Sequence, residues 1–152
     1  MTNAPFLAIV VGADVESRGR LRETLADQPL VRLVEVDDLD ALATVAAASQ
    51  PHVVVGDASL VGHREVVQDV RRVAPHVGIV VQAHDGLLED AVLALRARVD
   101  EFFPTSVEPV RLREAMLGLA EHAQRRRELA GSSGLVAPLE DAGPAAEVVL
   151  GT

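Results

Sequence analysis

Five short apolar runs, separated by amphipathic stretches, predict that this 152-residue chain folds as an α/β protein with a parallel sheet. The alternation is the first observation. The second is that the runs are mostly continuous, as strands covered on both faces are. Because the crossovers joining parallel strands are right-handed, few topologies remain. The favoured one is a flavodoxin-like three-layer sandwich with strand order 2-1-3-4-5, in which ligands meet the carboxyl ends of the strands.

The first run is FLAIVV (6–11), and the second, VRLVEV (31–36), carries Arg32 and Glu35 and so reads as an edge strand. HVVVGD (52–57), VGIVV (77–81) and EFF (101–103) complete the sheet. The first helix ends near Leu25 and turns Leu21 and Leu25 inward, with Asp14 as its candidate cap. Residues 37–48 space Leu39, Leu42 and Val45 along one face, and 65–73 do the same with Val66, Val70 and Val73. The helix over 88–98 is expected to bury Ala91, Val92 and Leu95. The last helix starts after Glu108 and runs through Leu112, Met116 and Leu119 to about Leu129. Pro109 takes its first position, where a missing N–H costs nothing.

One domain is expected over 1–130, followed by a Gly, Pro, Ser and Ala linker or tail over 131–152. Aromatic residues are 2% of the chain, with no Trp or Tyr, so the core must be built from Val, Leu and Ala. The net charge of −9 argues against nucleic acid as a partner. All 14 basic residues are Arg, which leaves no lysine for a Schiff base or a phosphate clamp. The absence of Cys excludes disulfides, thiolate nucleophiles and Cys-ligated zinc. Phe6–Val11 is too short for a secretory signal, and no run approaches the ~20 apolar residues of a membrane span. A cytoplasmic protein without membrane contact is expected.

One carboxylate, Asp57 in VVVGDASLVG (53–62), falls at the end of a strand that is otherwise wholly apolar. With VVQAHDG (80–86) and ALRARVDEFFPTSVEPVRLREAM (94–116), this GD makes residues 6–123 resemble the CheY-like receiver domain of two-component response regulators. In that family a strand-end aspartate accepts a phosphoryl group with Mg²⁺ bound, and the resemblance places Asp57 there. The acidic pair that holds the metal falls on Gly12 and Ala13, with Asp14 one place further on. Gln82 stands for the hydroxyl residue of the fourth strand, Thr105 for the lysine of the fifth, and Ser106 for the proline beside it. Phe102 occupies the place of the switch aromatic.

Mg²⁺ needs several oxygen ligands, and phosphoryl transfer depends on positioned counter-charge. Without the acids and the lysine, the resemblance implies a degenerate pseudo-receiver with no catalytic residue and no cofactor. Asp57 then caps the amides of residues 59–62, and Phe102 packs in the core rather than toggling. The expected function is non-catalytic signalling or scaffolding through protein contacts. The face over 88–123, where receivers pair, is the expected homodimer surface, with Leu88, Val99, Arg111, Leu112, Met116 and Leu119 as its material. Charge reversal of Arg111 and Arg113 is the corresponding test. The architecture is also similar to the amino-terminal part of CpaE/TadZ-type pilus-assembly proteins, which implies an effector such as a ParA/MinD-like ATPase beyond Thr152.

Two alternatives stand beside this. One is an atypical response regulator phosphorylated on Asp57 by a histidine kinase, with Mg²⁺. The other is a small-ligand sensor using the emptied pocket near Gly12, Ala13, Asp57 and Gln82. His63, His84 and Asp85 share that sheet edge but lack metal-ligand spacing, and QRRRE (124–128) reads as a solvated helix end.

Overall fold

The computed structural model describes residues 5–12, 15–26, 28–83 and 88–136. Strand β1 (Phe6–Val11) lies between β2 (Val31–Val36) and β3 (Val53–Gly56), and β4 (Gly78–Ala83) and β5 (Glu101–Pro104) follow on the β3 side. All pairings are parallel and the order is β2-β1-β3-β4-β5, the predicted topology. Val11 faces Val36 across one ladder and Gly56 across the other, so β2, β1 and β3 end level, while β4 runs two residues beyond Val81, the partner of Gly56. Asp57 emerges at that level.

Among the described residues six helices cover the sheet: α1 (Val15–Leu25), α2 (Leu39–Ser49), α3 (Ala58–Val61), α4 (Arg64–Val73), α5 (Leu88–Ala97) and α6 (Pro109–Val136). The alternation of side chains along each strand splits the core in two. Ile9, Val11, Val54, Ile79 and Val81 face one way, against α2, α3, α4 and α5. Ala8, Val10, Val53, Val55 and Val80 face the other, against α1 and α6. Adjacent Phe102 and Phe103 on β5 pack on opposite sides by the same rule.

Helix starts follow local chemistry. Asp38 in the DDLD run caps α2, its Oδ1 accepting the Asp40 amide at 3.0 Å. Pro109 opens α6 as expected. Two non-glycine residues, Gln50 and Arg98, have positive φ, at 49° and 63°, where α2 and α5 end. The Gln50 side chain returns to the helix, its Nε2 donating to Ala47 O at 3.1 Å and to Val73 O at 2.9 Å. Arg98 O accepts from Arg71 Nη2 at 2.8 Å, while the same nitrogen reaches Asp100 Oδ2 at 3.1 Å.

Three expectations need correction. Helix α5 is rotated from the predicted phase: Ala94 and Ala97 are its buried positions, while Val92 and Leu95 face out. Two alanines let the helix axis approach the sheet closely, and its larger apolar residues stay outside. Leu112 and Met116, expected at an interface, are 1% and 0% exposed because α6 must cover the α1 side of the sheet. The third concerns the end of the last helix, expected near Leu129: α6 continues to Val136 through Gly131 and the two serines. Extending a helix that tertiary packing already holds is far cheaper than starting one, and no proline interrupts it before Pro138.

At the amino-terminal edge of the sheet, His52 ties three elements together. Its Nδ1 accepts the Leu7 N–H at 3.1 Å, and its own amide donates to Leu7 O at 2.8 Å. The ring proton therefore sits on Nε2, which donates to Gln124 Oε1 of α6 at 2.8 Å. Arg127 places Nη1 3.1 Å from the same nitrogen and donates through Nη2 to the carbonyls of Gln50, at 2.7 Å, and Pro51. Burial, with the Arg127 charge adding to it, holds the imidazole below its ordinary pKa; the Gln124 bond opposes this. QRRRE is thus not wholly a solvated helix end: Arg127 is the bolt that fastens α6 to the sheet.

Candidate functional site

The residues at the carboxyl edge are best built outward from Asp57. Strand β3 ends at Gly56 and α3 begins at Ala58, so Asp57 occupies the N-cap, in extended conformation. Its Oδ1 accepts the Ser59 amide at 3.0 Å and also the Ser59 hydroxyl. Its main-chain carbonyl accepts the Leu60 N–H at 3.1 Å. The residue is 8% exposed, and these donors satisfy one carboxylate oxygen inside the protein.

The other oxygen meets Gly12. A Cβ built at residue 12 would lie 2.6 Å from Asp57 Oδ2 and 3.1 Å from Cγ. At such distances any side chain at residue 12 would have to displace the Asp57 carboxylate. The carboxylate thus occupies the space beside Gly12, where the family pattern has part of its acidic pair. Arg18 closes the flank, donating from Nη1 to Gly12 O at 2.6 Å and from Nε to Glu35 Oε1 at 3.4 Å. Arg22 adds a 2.8 Å bond to Glu35 Oε2. That bond is the main cause holding the Glu35 carboxyl below its ordinary pKa, with Arg18 contributing less.

Gln82 lies on β4 opposite Phe103 and donates from Nε2 to Pro104 O at 3.4 Å, which joins β4 to β5. Thr105 directly follows β5 and is exposed. Ala13 and Asp14, and with them His84 and Asp85, lie outside the described residues. Phe102 is half-buried and packs with Val99 against the core on the α5 side. It lines a groove of about 300 Å³ with Ala91, Leu95 and Val99.

Of the expected interface residues, Arg111 is exposed, Val99 is half-buried, and the Leu88 side chain is outside the described set. Leu119 belongs to the core layer, pressed onto Gly78, where a Cβ would come within 2.8 Å of its own. Arg113 is a structural tie, its Nη1 donating to Thr24 O of α1 at 3.1 Å, so its reversal would not isolate an interface.

Among the described residues the donor set offers one buried carboxylate, already engaged by Ser59, and no group of three or more acidic, His or Cys side chains is placed to hold a metal. The Gly12 contact is invisible in composition or spacing, since it depends on how closely two strand ends approach. The His52–Arg127 clasp is invisible in the sequence for a similar reason: its acceptors are main-chain carbonyls, which no side-chain motif announces.

The topology, with Asp57 at the end of β3, is that of the flavodoxin-like receiver fold. Comparison with solved structures agrees on the fold. NtrX from Brucella abortus matches with a TM-score of 0.69 at 21% identity, over 82% of this chain; the chain spans only 29% of that one. The signal receiver domain of a LuxO repressor protein from Vibrio parahaemolyticus matches with a TM-score of 0.66 at 11% identity, covering 82% of this chain and 96% of that one. A CpaE pilus assembly protein from Burkholderia thailandensis matches with a TM-score of 0.64 at 15% identity, covering 76% and 98%. No family model matches the sequence, and no curated protein matches it.

Proposed function

We propose that this chain is a receiver-fold signalling or scaffolding module that works through protein contacts rather than through phosphorylation of Asp57. The observation that carries the reading is the place of that carboxylate: Ser59 holds one oxygen as a helix cap, and a glycine stands beside the other where the family has an acid. Phosphoryl transfer to an aspartate needs a free oxygen, a metal and a second counter-charge. Here one oxygen caps a helix, the acid is replaced by glycine, and no lysine exists in the chain. The module is accordingly not an enzyme and takes no cofactor. Its partners are proteins, a second copy among them. The likeness to a pilus assembly protein supports a place beside an effector such as a ParA/MinD-like ATPase.

The test is intact mass after incubation with acetyl phosphate and Mg²⁺, with Asp57→Asn alongside. No added phosphoryl mass on either protein is expected. Addition to the wild type alone would overturn the proposal and make the chain an unusual but working receiver.

A further inference from the structure

A buried histidine with both ring nitrogens committed gives up a bond when it takes up a proton. His52 is 7% exposed and sits where the amino ends of β1 and β3 meet α6. Its Nδ1 lone pair accepts the Leu7 amide, and its Nε2–H donates to Gln124 Oε1. In the imidazolium both nitrogens are donors and neither accepts. A proton on Nδ1 would therefore face the Leu7 N–H, donor against donor, with little water to relieve either.

The charges around the ring act in the same sense. Arg127 Nη1 stands 3.1 Å from Nε2, so a protonated ring would set two cations side by side. Glu128, the next residue on α6, accepts from Gln124 Nε2 at 3.1 Å rather than from the ring. Strands β1, β3 and β4 carry no charged residue; what β1 presents is Phe6, its ring in edge contact with centroids 5.3 Å apart. Among the described residues no carboxylate is bonded to the imidazole.

Those same groups hold the end of α6. Ala123 is its last buried residue among those described, and Leu129 is already 68% exposed. Between them the ties to the sheet are polar: Gln124 on His52, and Arg127 on His52 and on the carbonyls of Gln50 and Pro51. We infer that His52 is a proton-operated latch: the neutral ring fastens residues 124–131 to the amino edge of the sheet, and protonation of Nδ1 from solvent releases them. Release separates the two cations and lets the imidazolium hydrate. Burial first, and the Arg127 charge with it, hold the ring below its ordinary pKa against the Gln124 bond, which is the sign that a latch closed by the neutral form requires. The latch lies at the opposite edge of the sheet from Asp57 and acts whether or not that carboxylate takes a phosphoryl group.

Amide hydrogen exchange of the full chain, scored against the rate of an unstructured peptide at the same pH, is the experiment. An opening that frees His52 is linked to its protonation, so it grows by up to about tenfold per pH unit below about 6.5 and stays level above. Protection of residues 124–131 is expected to fall by about fivefold or more from about pH 7.5 to about pH 5.5. His52→Asn keeps an oxygen for the Leu7 amide and does not titrate, so its protection should stay level. Gln124→Glu sets a carboxylate against Nε2, favours the closed imidazolium and should shrink the fall.

Level protection in the wild type would overturn the latch, as would the same fall in His52→Asn or an undiminished fall in Gln124→Glu. So would amides of Ile9 and Val54 that exchange as fast as those of residues 124–131, because the release would then be unfolding of the whole domain.

Discussion

Placing a methyl group at residue 12 tests the Asp57 geometry directly. The φ of Gly12 lies outside the left-handed region, so Gly12→Ala meets no backbone penalty. With open space beside it, the change should stabilise by about 0.4–1 kcal/mol through the unfolded chain. There is no such space, because the new carbon would stand 2.6 Å from Asp57 Oδ2. Either the carboxylate leaves its Ser59 donors, or strand and helix part. Losing hydrogen bonds to a charged acceptor and overpacking a full site each cost roughly 1–3 kcal/mol.

The expected net effect in wild type is a loss of about 1–2 kcal/mol. In an Asp57→Ala background, already weakened by about 1 kcal/mol for the lost cap, the same change should become stabilising. The four proteins form a cycle with a coupling of about 1.5–3 kcal/mol, readable from urea unfolding midpoints. Additivity within about 0.5 kcal/mol would show that residue 12 and Asp57 do not compete for one volume, and the account of the site would fail with it.

Other consequences follow from the rest of the fold. Arg98→Gly should raise stability by about 1 kcal/mol, since φ at 63° suits glycine and the Arg71 bonds run to the carbonyl, not the side chain; a lower urea midpoint would contradict that. Removing the Arg127 guanidinium (Arg127→Met) should expose the amides of residues 124–136 to faster hydrogen exchange while leaving the sheet protected. Unchanged exchange would mean the clasp holds nothing. His52 gives a pH dependence of defined sign. Its folded pKa lies below the ordinary value of about 6.5, so the unfolded chain takes up its proton first as pH falls. The contribution of His52 is fully present above that value and is lost as pH drops through the window down to the folded pKa. Compared with His52→Asn, wild type should lose more stability between pH 7.5 and pH 5.5; parallel profiles would rule out a neutral His52.

The sheet could be read from the sequence because its strands are buried on both faces, and VVVG or GIVV permits little else. The tilt of each strand end was not legible, and it is what sets Gly12 against Asp57. In helix α5 side-chain size is a poor guide to burial. Val92 and Leu95 look more like core than Ala94 and Ala97, yet the alanines allow the closer approach. In α6 the reverse holds. Its stripe of Leu112, Met116 and Leu119 suits a partner surface by pattern alone, but the α1 side of the sheet requires a cover. The carboxylate's place as an N-cap was legible, since an aspartate between a strand and a following Ala-Ser is well suited to that position.

Helix α6 has a mechanical consequence. At 28 residues it spans about 42 Å, roughly twice the length of β1, and it is pinned by Gln124 and Arg127 only partway along. Beyond the pin, residues 128–131 are exposed, and the clasp fixes the direction in which this stretch leaves the sheet. Each residue added or removed between Glu128 and Val136 would turn the end of the helix by about 100° and shift it by about 1.5 Å. The helical phase of this short stretch is therefore set by two side chains anchored at the far edge of the sheet.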